Sequence, residues 1–221
     1  RQMVGEGKMI RGKIPIRTHV ITPADNIVEV VKRYAGEVAT PGDIVAVAES
    51  AVAITQGRAI PSARVRYGWL ASFLCRFAGK EGSLATPQAM QLAIQEVGTW
   101  RILAGCVAAA LGRLVGRRGD FYRVAGRHLA LIDDVAGTMC NYESYIVLGP
   151  RNPQQVAEAI KESTGIDAVV TDVNDAGRVD ILGATSGVDR KMVEEALRDN
   201  PFGNDDQQTP IVVLKKWVKG R

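Results

Sequence analysis

Three stretches of the sequence collect oxygen-bearing side chains where a metal ion could bind. The first is TDVNDAGRVD, residues 171–180, which directly follows the apolar run IDAVV. The second is LIDD, which places Asp133 and Asp134 at the end of another apolar run, and the third is GNDDQQTP, residues 203–210. Carboxylate and amide oxygens suit Mg²⁺ and Mn²⁺, so convergence of the three turns would make a cation site. Asp and Asn are also common in ordinary surface turns, and both interpretations stay open.

The first stretch resembles the start of a calcium loop, but its spacing excludes an EF-hand. Such a loop needs oxygen ligands at positions 1, 3, 5, 9 and 12, and glycine at position 6. With Asp172 at position 1, Asn174 and Gly177 fall correctly, but Ala176 occupies position 5 and Gly183 occupies position 12. Two readings remain: a hairpin turn, which NDAG suits well, and a metal-holding carboxylate, Asp172, at the exit of a strand.

Other candidate chemistry is less specific. The stretch GRLVGRRGDFYR offers backbone N–H groups and arginines that could bind phosphates. It lacks the GK-[ST] ending of a Walker loop, and a plain basic loop is the simpler interpretation. His19 and His128 have no sequence neighbour that would complete a triad, so both are interpreted as structural. The catalytic residues are not identified by any of these patterns.

Composition sets the broad class. The chain has 221 residues, of which 46% are hydrophobic, enough for one large domain or two small lobes. No apolar run reaches the roughly 18 residues of a membrane span, and the first ten residues do not form a signal peptide. Three cysteines without a CxxC pattern indicate neither disulfides nor a cysteine zinc site, and favour a reducing cytoplasm.

Charge is unevenly distributed along the chain. Residues 64–128 contain ten Lys and Arg against three acids, whereas residues 151–210 contain six basic and twelve acidic residues. A basic centre favours a small anionic ligand, although two solvated faces would give the same pattern. The basic stretch contains no recognisable nucleic-acid-binding motif, which disfavours nucleic acid as a partner.

Hydrophobic periodicity and turn signals predict alternating strands and helices without a strict βαβ rhythm, which favours an α+β architecture. Thr86 is predicted to cap a helix that starts at Pro87, and Asn152 to cap one that starts at Pro153. Helices are predicted over residues 23–36, 62–79, 85–98, 99–116, 152–165 and 189–201, the fourth of them buried. Extended segments are predicted over residues 13–21, 41–50, 51–60, 128–137, 145–150 and 211–217, a strand–turn–strand unit over 166–183, and a loop over 112–128.

Several segments together resemble the coenzyme F420 gamma-glutamyl ligase family. They are THVITPADNIVEVV, PGDIVAVAESAVAITQGRAI, YIVLGPRNPQQVAEAI, AVVTDVNDAGR and GNDDQQTPIVVL. Their order and spacing make the set fairly specific, and they span most of residues 1–221, which we treat as a single ligase-like unit. The stretch from about 62 to 128 matches poorly and is interpreted as a distinctive, basic helical insert.

The resemblance implies a fold, a reaction and partners. Enzymes of this family use GTP and a divalent metal, Mg²⁺ or Mn²⁺, to join L-glutamate to a deazaflavin phosphodiester through an acyl phosphate. The implied fold is a mixed α/β, two-lobed unit with largely antiparallel sheets that forms an intertwined homodimer. The implied partners are L-glutamate and a small anionic substrate, with no membrane, and the implied location is the cytoplasm.

Carried over by position, the resemblance also implies site residues. It assigns the metal to Asp172, Asp134 and Asn204. It assigns the nucleotide to Arg17, Thr18, His19, Glu49, Ser50, Gly203, Asn204, Asp205, Asp206 and Gln207.

The sequence departs from the family pattern at several of these positions. Ala53 and Ile54 stand where the family has Ser-Lys, and Val173 stands where it has a threonine hydroxyl. AGTMCNYESY lacks the family's metal-binding aspartate, so Asp133, Asp134 or Asn141 would have to replace it. An alternative function is therefore a catalytically impaired family member that binds an anionic nucleotide or phosphate ligand.

Overall fold

The computed structural model describes residues 10–78, 82–133, 142–203 and 207–216. The chain divides into two compact units, which we call the sheet unit (residues 1–56 and 150–221) and the helical unit (residues 57–149). The predicted insert at 62–128 falls within the helical unit, and its status as an insert stays a prediction.

Strands and helices alternate through the described residues. In chain order they are β1 (Ile10–Ile16), α1 (Ile27–Ala35), β2 (Ile44–Ala48), α2 (Glu49–Thr55), β3 (Ala59–Pro61), α3 (Trp69–Leu74), α4 (Pro87–Val97), α5 (Thr99–Leu114), α6 (Asp120–Ala125), β4 (Tyr145–Val147), α7 (Pro153–Thr164), β5 (Asp167–Val173), β6 (Val179–Ala184), α8 (Arg190–Leu197) and β7 (Ile211–Lys216). Single 3₁₀ turns lie at Ser62–Arg64, Cys75–Phe77 and Arg127–Leu131.

The sheet unit is built on five strands in the order β1-β7-β2-β5-β6. β2 and β5 run parallel, and the other neighbouring strands are antiparallel. The central residues of the middle strands are buried, which explains why stretches such as IVAVA are apolar without alternation. The prediction of a mixed α+β fold with largely antiparallel sheets is confirmed.

Three helices of the sheet unit, α1, α7 and α8, begin at a side-chain cap or at proline, whereas α2 has neither. Asn26 accepts a hydrogen bond from the Val28 amide, and Asp189 accepts from the amides of Lys191 and Met192. The prediction that Asn152 caps α7 was wrong in its mechanism. Asn152 precedes the helix but has a left-handed backbone, φ 48°, and makes no side-chain cap bond.

The helical unit packs α3 to α6 beside the two-stranded pairing of β3 with β4. Thr86 caps α4 as predicted, accepting from the Ala89 amide at 3.2 Å. Helix α5 packs closely at Gly105, where a Cβ would lie 2.9 Å from the Ala125 methyl. Arg58 is buried and donates to both carboxylate oxygens of Glu96, at 3.2 and 2.9 Å.

Four predicted segments differ from the structure. Residues 51–60 were predicted to be extended, but Glu49–Thr55 is a helix and only Ala59–Pro61 is a strand. The cause is that AVAI is apolar throughout and buried on every side, so it shows no period that distinguishes strand from helix. In the segment 62–79, α3 is only six residues long and is followed by a 3₁₀ turn.

The predictions for residues 112–128 and 128–137 were also wrong. The first, predicted as loop, contains α6, which begins after Gly119 in a left-handed conformation. The second, predicted as strand, begins with the 3₁₀ turn Arg127–Leu131, after which Asp133 makes a single bridge to Val147. Residues 134–137 lie outside the described residues.

Helix α5 is not the buried helix that its composition predicts. It buries Ile102, Gly105 and Gly112 and exposes large apolar side chains on another face. Among the described residues no single helix is long and apolar enough to cross a membrane. Only α4 and α5 taken together, with a bend of 113° between them, reach that length and composition.

Candidate functional site

One edge of the five-stranded sheet collects several of the predicted site residues. Ile16 of β1 faces Ile211 of β7, Ile211 faces Val47 of β2, and Val47 faces Val170 of β5. β1, β2 and β5 point the same way and β7 points the opposite way. The carboxyl ends of three strands therefore meet the amino end of β7, and we call this the candidate edge.

Two backbone hydrogen bonds hold the segments of the candidate edge together. The Thr18 amide donates to the Gln208 carbonyl at 2.9 Å, and the Ala48 amide donates to the Pro210 carbonyl at 2.9 Å. The stretch before β7 is thereby fixed between the segments that follow β1 and β2. Two predicted nucleotide segments, 17–19 and 49–50, adjoin residues 207–210 here, and this stretch begins with the predicted residue Gln207.

The segment after β1 is held by a polar cluster around His19. The ring Nε2 lies 3.0 Å from Asp25 Oδ1, and Nδ1 lies 3.0 Å from the Tyr34 hydroxyl. Asp25 also accepts from the amide and hydroxyl of Thr22. The hydrogen bond from the Thr22 amide is the main cause that lowers the pKa of Asp25. His19 lowers this pKa as well, whereas burial raises it. The cluster orients His19, while Arg17 is exposed at the edge.

The segment after β2 is the first turn of α2. Glu49 and Ser50 are half-buried there, directly beyond Ala48. Further along the same helix Ala53 and Ile54 are 0% and 3% exposed. The position at which the resemblance expects a lysine therefore holds an apolar side chain inside the sheet unit.

The hairpin reading of residues 171–180 is confirmed. The Asn174 amide donates to the Arg178 carbonyl, the Gly177 amide donates to the Asn174 carbonyl, and the Arg178 amide donates to Asn174 Oδ1, each at 3.0 Å. Gly177 has φ 74°, the left-handed conformation that a three-residue hairpin loop needs at its last position.

The register of this hairpin places a second carboxylate beside Asp172. Asp172 of β5 faces Asp180 of β6 directly, and the buried Thr171 hydroxyl donates to the Asp180 carbonyl at 3.1 Å. Like charges opposite one another destabilise a strand pair unless a cation offsets them. Sequence reasoning selected Asp172 and missed Asp180. The signal was present, because a loop closed between Asn174 and Arg178 pairs residue 172 with residue 180.

The structure describes only part of the predicted metal and nucleotide set. Asp134, Asn141, Asn204, Asp205 and Asp206 lie outside the described residues. Of the rest, Gly203 has φ 72° and the Gln207 side chain lies against its α-carbon, while Asp133 belongs to the helical unit. Within the described ranges no three His, Cys, Asp or Glu side chains form a group that could hold a metal ion.

Comparison with known families identifies the family of the chain. The F420-0:Gamma-glutamyl ligase family model matches residues 15–175, well over half of the chain. The protein belongs to that family. The matched range includes the segment after β1, the segment after β2 and Asp172. A comparison with curated proteins gives no significant match.

Proposed function

We propose that this protein is a nucleotide- and divalent-metal-dependent ligase that attaches L-glutamate to coenzyme F420-0 through an amide bond, with GTP as co-substrate. Family membership supports the reaction class. The observation that carries the proposal at the level of residues is the candidate edge, which gathers Arg17, Thr18, Glu49 and Asp172 from separate parts of the chain.

The proposed reaction has two steps. The acceptor carboxylate attacks the terminal phosphoryl group of GTP and becomes an acyl phosphate. The bond between that phosphoryl group and GDP breaks, and GDP leaves. The glutamate amine then attacks the acyl carbon, the carbon–oxygen bond to phosphate breaks, and the amine loses a proton. Product, GDP and inorganic phosphate account for all atoms, and no oxidant or reductant is needed.

The residues of the candidate edge suit binding more clearly than proton transfer. Arg17 is exposed and would pair with phosphate oxygens. Asp172 and Asp180 together offer oxygen ligands of the kind that hard divalent cations take, so the residues fit a Mg²⁺ or Mn²⁺ ion. When bound, such an ion offsets negative charge on phosphate oxygens.

The direct test incubates the full chain with F420-0, L-glutamate, a nucleotide and a divalent metal. Mass spectrometry would follow glutamylated product, and chromatography would follow nucleotide diphosphate. We expect product only when nucleotide and metal are both present, and GTP should be preferred to ATP. Absence of product with every metal and both nucleotides would contradict the proposal.

A sharper prediction concerns Asp172. The change Asp172→Asn should lower the rate at saturating nucleotide by about a hundredfold or more, because a metal carboxylate is lost. Added Mn²⁺ should restore part of the loss. Asp199→Asn is the matched control, since Asp199 pairs with Lys13 in the middle of β1, away from the candidate edge. Equal rates for the two variants would remove Asp172 from the site.

The impaired-member alternative is favoured by one observation, the buried Ile54 at the expected lysine position. It expects tight GTP binding without turnover, unaffected by EDTA and by Asp172→Asn. Calorimetric titration of GTP with and without EDTA separates the two functions. GTP binding that requires metal, together with product in the incubation above, supports the ligase and contradicts the impaired-member alternative.

A further inference from the structure

Large exposed apolar side chains are concentrated in the helical unit. Among the described residues of the sheet unit, Ile14 is the only large apolar side chain that is exposed, at 37%. The helical unit exposes Tyr67, Trp69, Phe73, Phe77, Trp100, Val107, Leu111, Leu114, Val115 and Val124. An apolar surface of this extent marks a place where a protein meets another surface.

Helix α5 presents the most regular part of that surface. Trp100, Val107, Leu111 and Leu114 follow one another at intervals of seven, four and three residues, so they share one face of the helix. They are 84%, 60%, 60% and 83% exposed. The buried side of the same helix carries Ile102, Gly105 and Gly112, so the exposed face is not needed for packing of the helical unit. We call the four exposed residues the α5 face.

The exposed charges of α5 and of the turn that follows it all have the same sign. Between residues 99 and 119 the charged residues are Arg101, Arg113, Arg117 and Arg118, and all four are exposed. The next acid, Asp120, is buried and accepts from Arg117 and Arg123. Arg113 also donates to the Phe77 carbonyl at 3.4 Å, which joins the Phe73–Phe77 ring pair to the end of α5.

We propose that the α5 face docks on the surface of a lipid bilayer with anionic headgroups. Trp and Leu side chains enter the boundary between headgroups and acyl chains, while exposed arginines of the same segment pair with the headgroup phosphates. The helix lies in the plane of the surface and does not span it. This binding is separate from the proposed ligase reaction and needs neither nucleotide nor glutamate.

Two other occupants fit the observations less well. Two copies joined through their α5 faces would bring the arginines of both copies together, which charge repulsion opposes. A second copy that offered its sheet unit would supply little net charge, because that unit holds 17 basic and 18 acidic residues. It would also supply little apolar surface, since the described part of that unit exposes Ile14 alone among large hydrophobics. A lipid surface supplies apolar chains and negative charge together.

The test is sedimentation of the full chain with phosphatidylcholine vesicles, with and without phosphatidylglycerol. We expect binding that requires the anionic lipid, weakens as salt is added, and quenches tryptophan fluorescence when the lipids are brominated. Leu111→Ser with Leu114→Ser should weaken binding about tenfold or more, because two exposed side chains no longer enter the lipid. Arg101→Gln with Arg118→Gln should weaken it similarly and reduce its salt dependence.

Matched controls separate specific loss from damage to the fold. Ile14→Ser removes an exposed apolar side chain of the sheet unit, and Arg178→Gln with Arg198→Gln removes two exposed charges there. Both should bind vesicles like the unmodified protein, and circular dichroism should show every variant folded. Equal binding to neutral and anionic vesicles, or no binding to either, would overturn the proposal. So would a dimer, measured by sedimentation equilibrium, that the two serine changes dissociate.

Discussion

At the scale of single residues, Asp43 and Asp167 carry charge that stabilises the sheet unit. Burial raises the pKa of Asp43, but hydrogen bonds from Lys215, Thr40 and the Lys216 amide outweigh it, and the pKa lies below its ordinary value of 3.8. Burial likewise raises the pKa of Asp167, but hydrogen bonds from Lys161 and Thr185 outweigh this effect. The pKa of Asp167 is therefore also lowered.

The lowered pKa values make the free energy of unfolding fall in acid, and we call this part of the pH dependence the acid limb. The unfolded chain takes up protons at these carboxylates more readily than the folded protein does. Their stabilisation is therefore complete above about pH 4 and is lost as the pH falls through the lowered pKa values.

We predict that Asp43→Asn decreases the free energy of unfolding at neutral pH by about 2 kcal/mol, because Lys215 loses a charged acceptor. The variant should also lose less stability than the unmodified protein on acidification. Urea unfolding at neutral pH and below pH 4 measures both effects, with Asp199→Asn as a surface ion-pair control. An unchanged acid limb in Asp43→Asn would contradict this assignment.

At the scale of elements, the contact between α7 and β6 depends on Gly183. A Cβ at this position would overlap the Pro153 carbonyl and lie 2.6 Å from the Gln154 amide nitrogen. These are backbone atoms of the first turn of α7, so no side-chain rotation relieves the overlap, and the helix would have to move.

We therefore predict that Gly183→Ala destabilises the protein by about 1–3 kcal/mol, as overpacking usually does. Gly12→Ala in β1 is the matched control, because a Cβ there meets no heavy atom within 4 Å. Thermal unfolding of the two variants should separate them clearly. Equal midpoints would show that α7 can move at little cost.

Elements with end signals were predictable from the sequence, and those without them were not. Thr86 with Pro87 and Asp189 before RKMVEEAL mark helix starts that the structure confirms. α2 carries no side-chain cap bond, and its central residues AVAI are all apolar and buried. Neither the start of this helix nor its period could therefore be predicted.

The candidate site was partly predictable for a similar reason. Asp172 stands out because it ends an apolar run. Asp180 becomes visible only when the hairpin register is known, and the adjacency of Thr18 to Gln208 depends on strand order. Strand order brings together residues that are almost two hundred positions apart, and no local sequence pattern predicts that order.

At the scale of the whole molecule, the two units differ in how their strands are protected. β2, β5 and β7 have strand neighbours on both sides in a five-stranded sheet, whereas β3 and β4 form a pair of three residues each. Short two-stranded pairings contribute little stability by themselves.

We predict that amide hydrogens of β2 and β7 exchange most slowly and those of β3 and β4 much faster, since protection follows local opening. Hydrogen exchange followed by mass spectrometry of peptic peptides measures this directly. Comparable protection in the two sheets would mean that both units open only on global unfolding.

The position of β7 has a consequence for synthesis on the ribosome. This strand is the last of the described strands in sequence but lies between β1 and β2 in the sheet. Until residues 211–216 leave the exit tunnel, β1 lacks its one partner among the described strands, and β2 lacks one of its two neighbours there. The nascent sheet unit therefore has unpaired strand edges until β7 emerges, a state in which chaperone binding would protect it from aggregation.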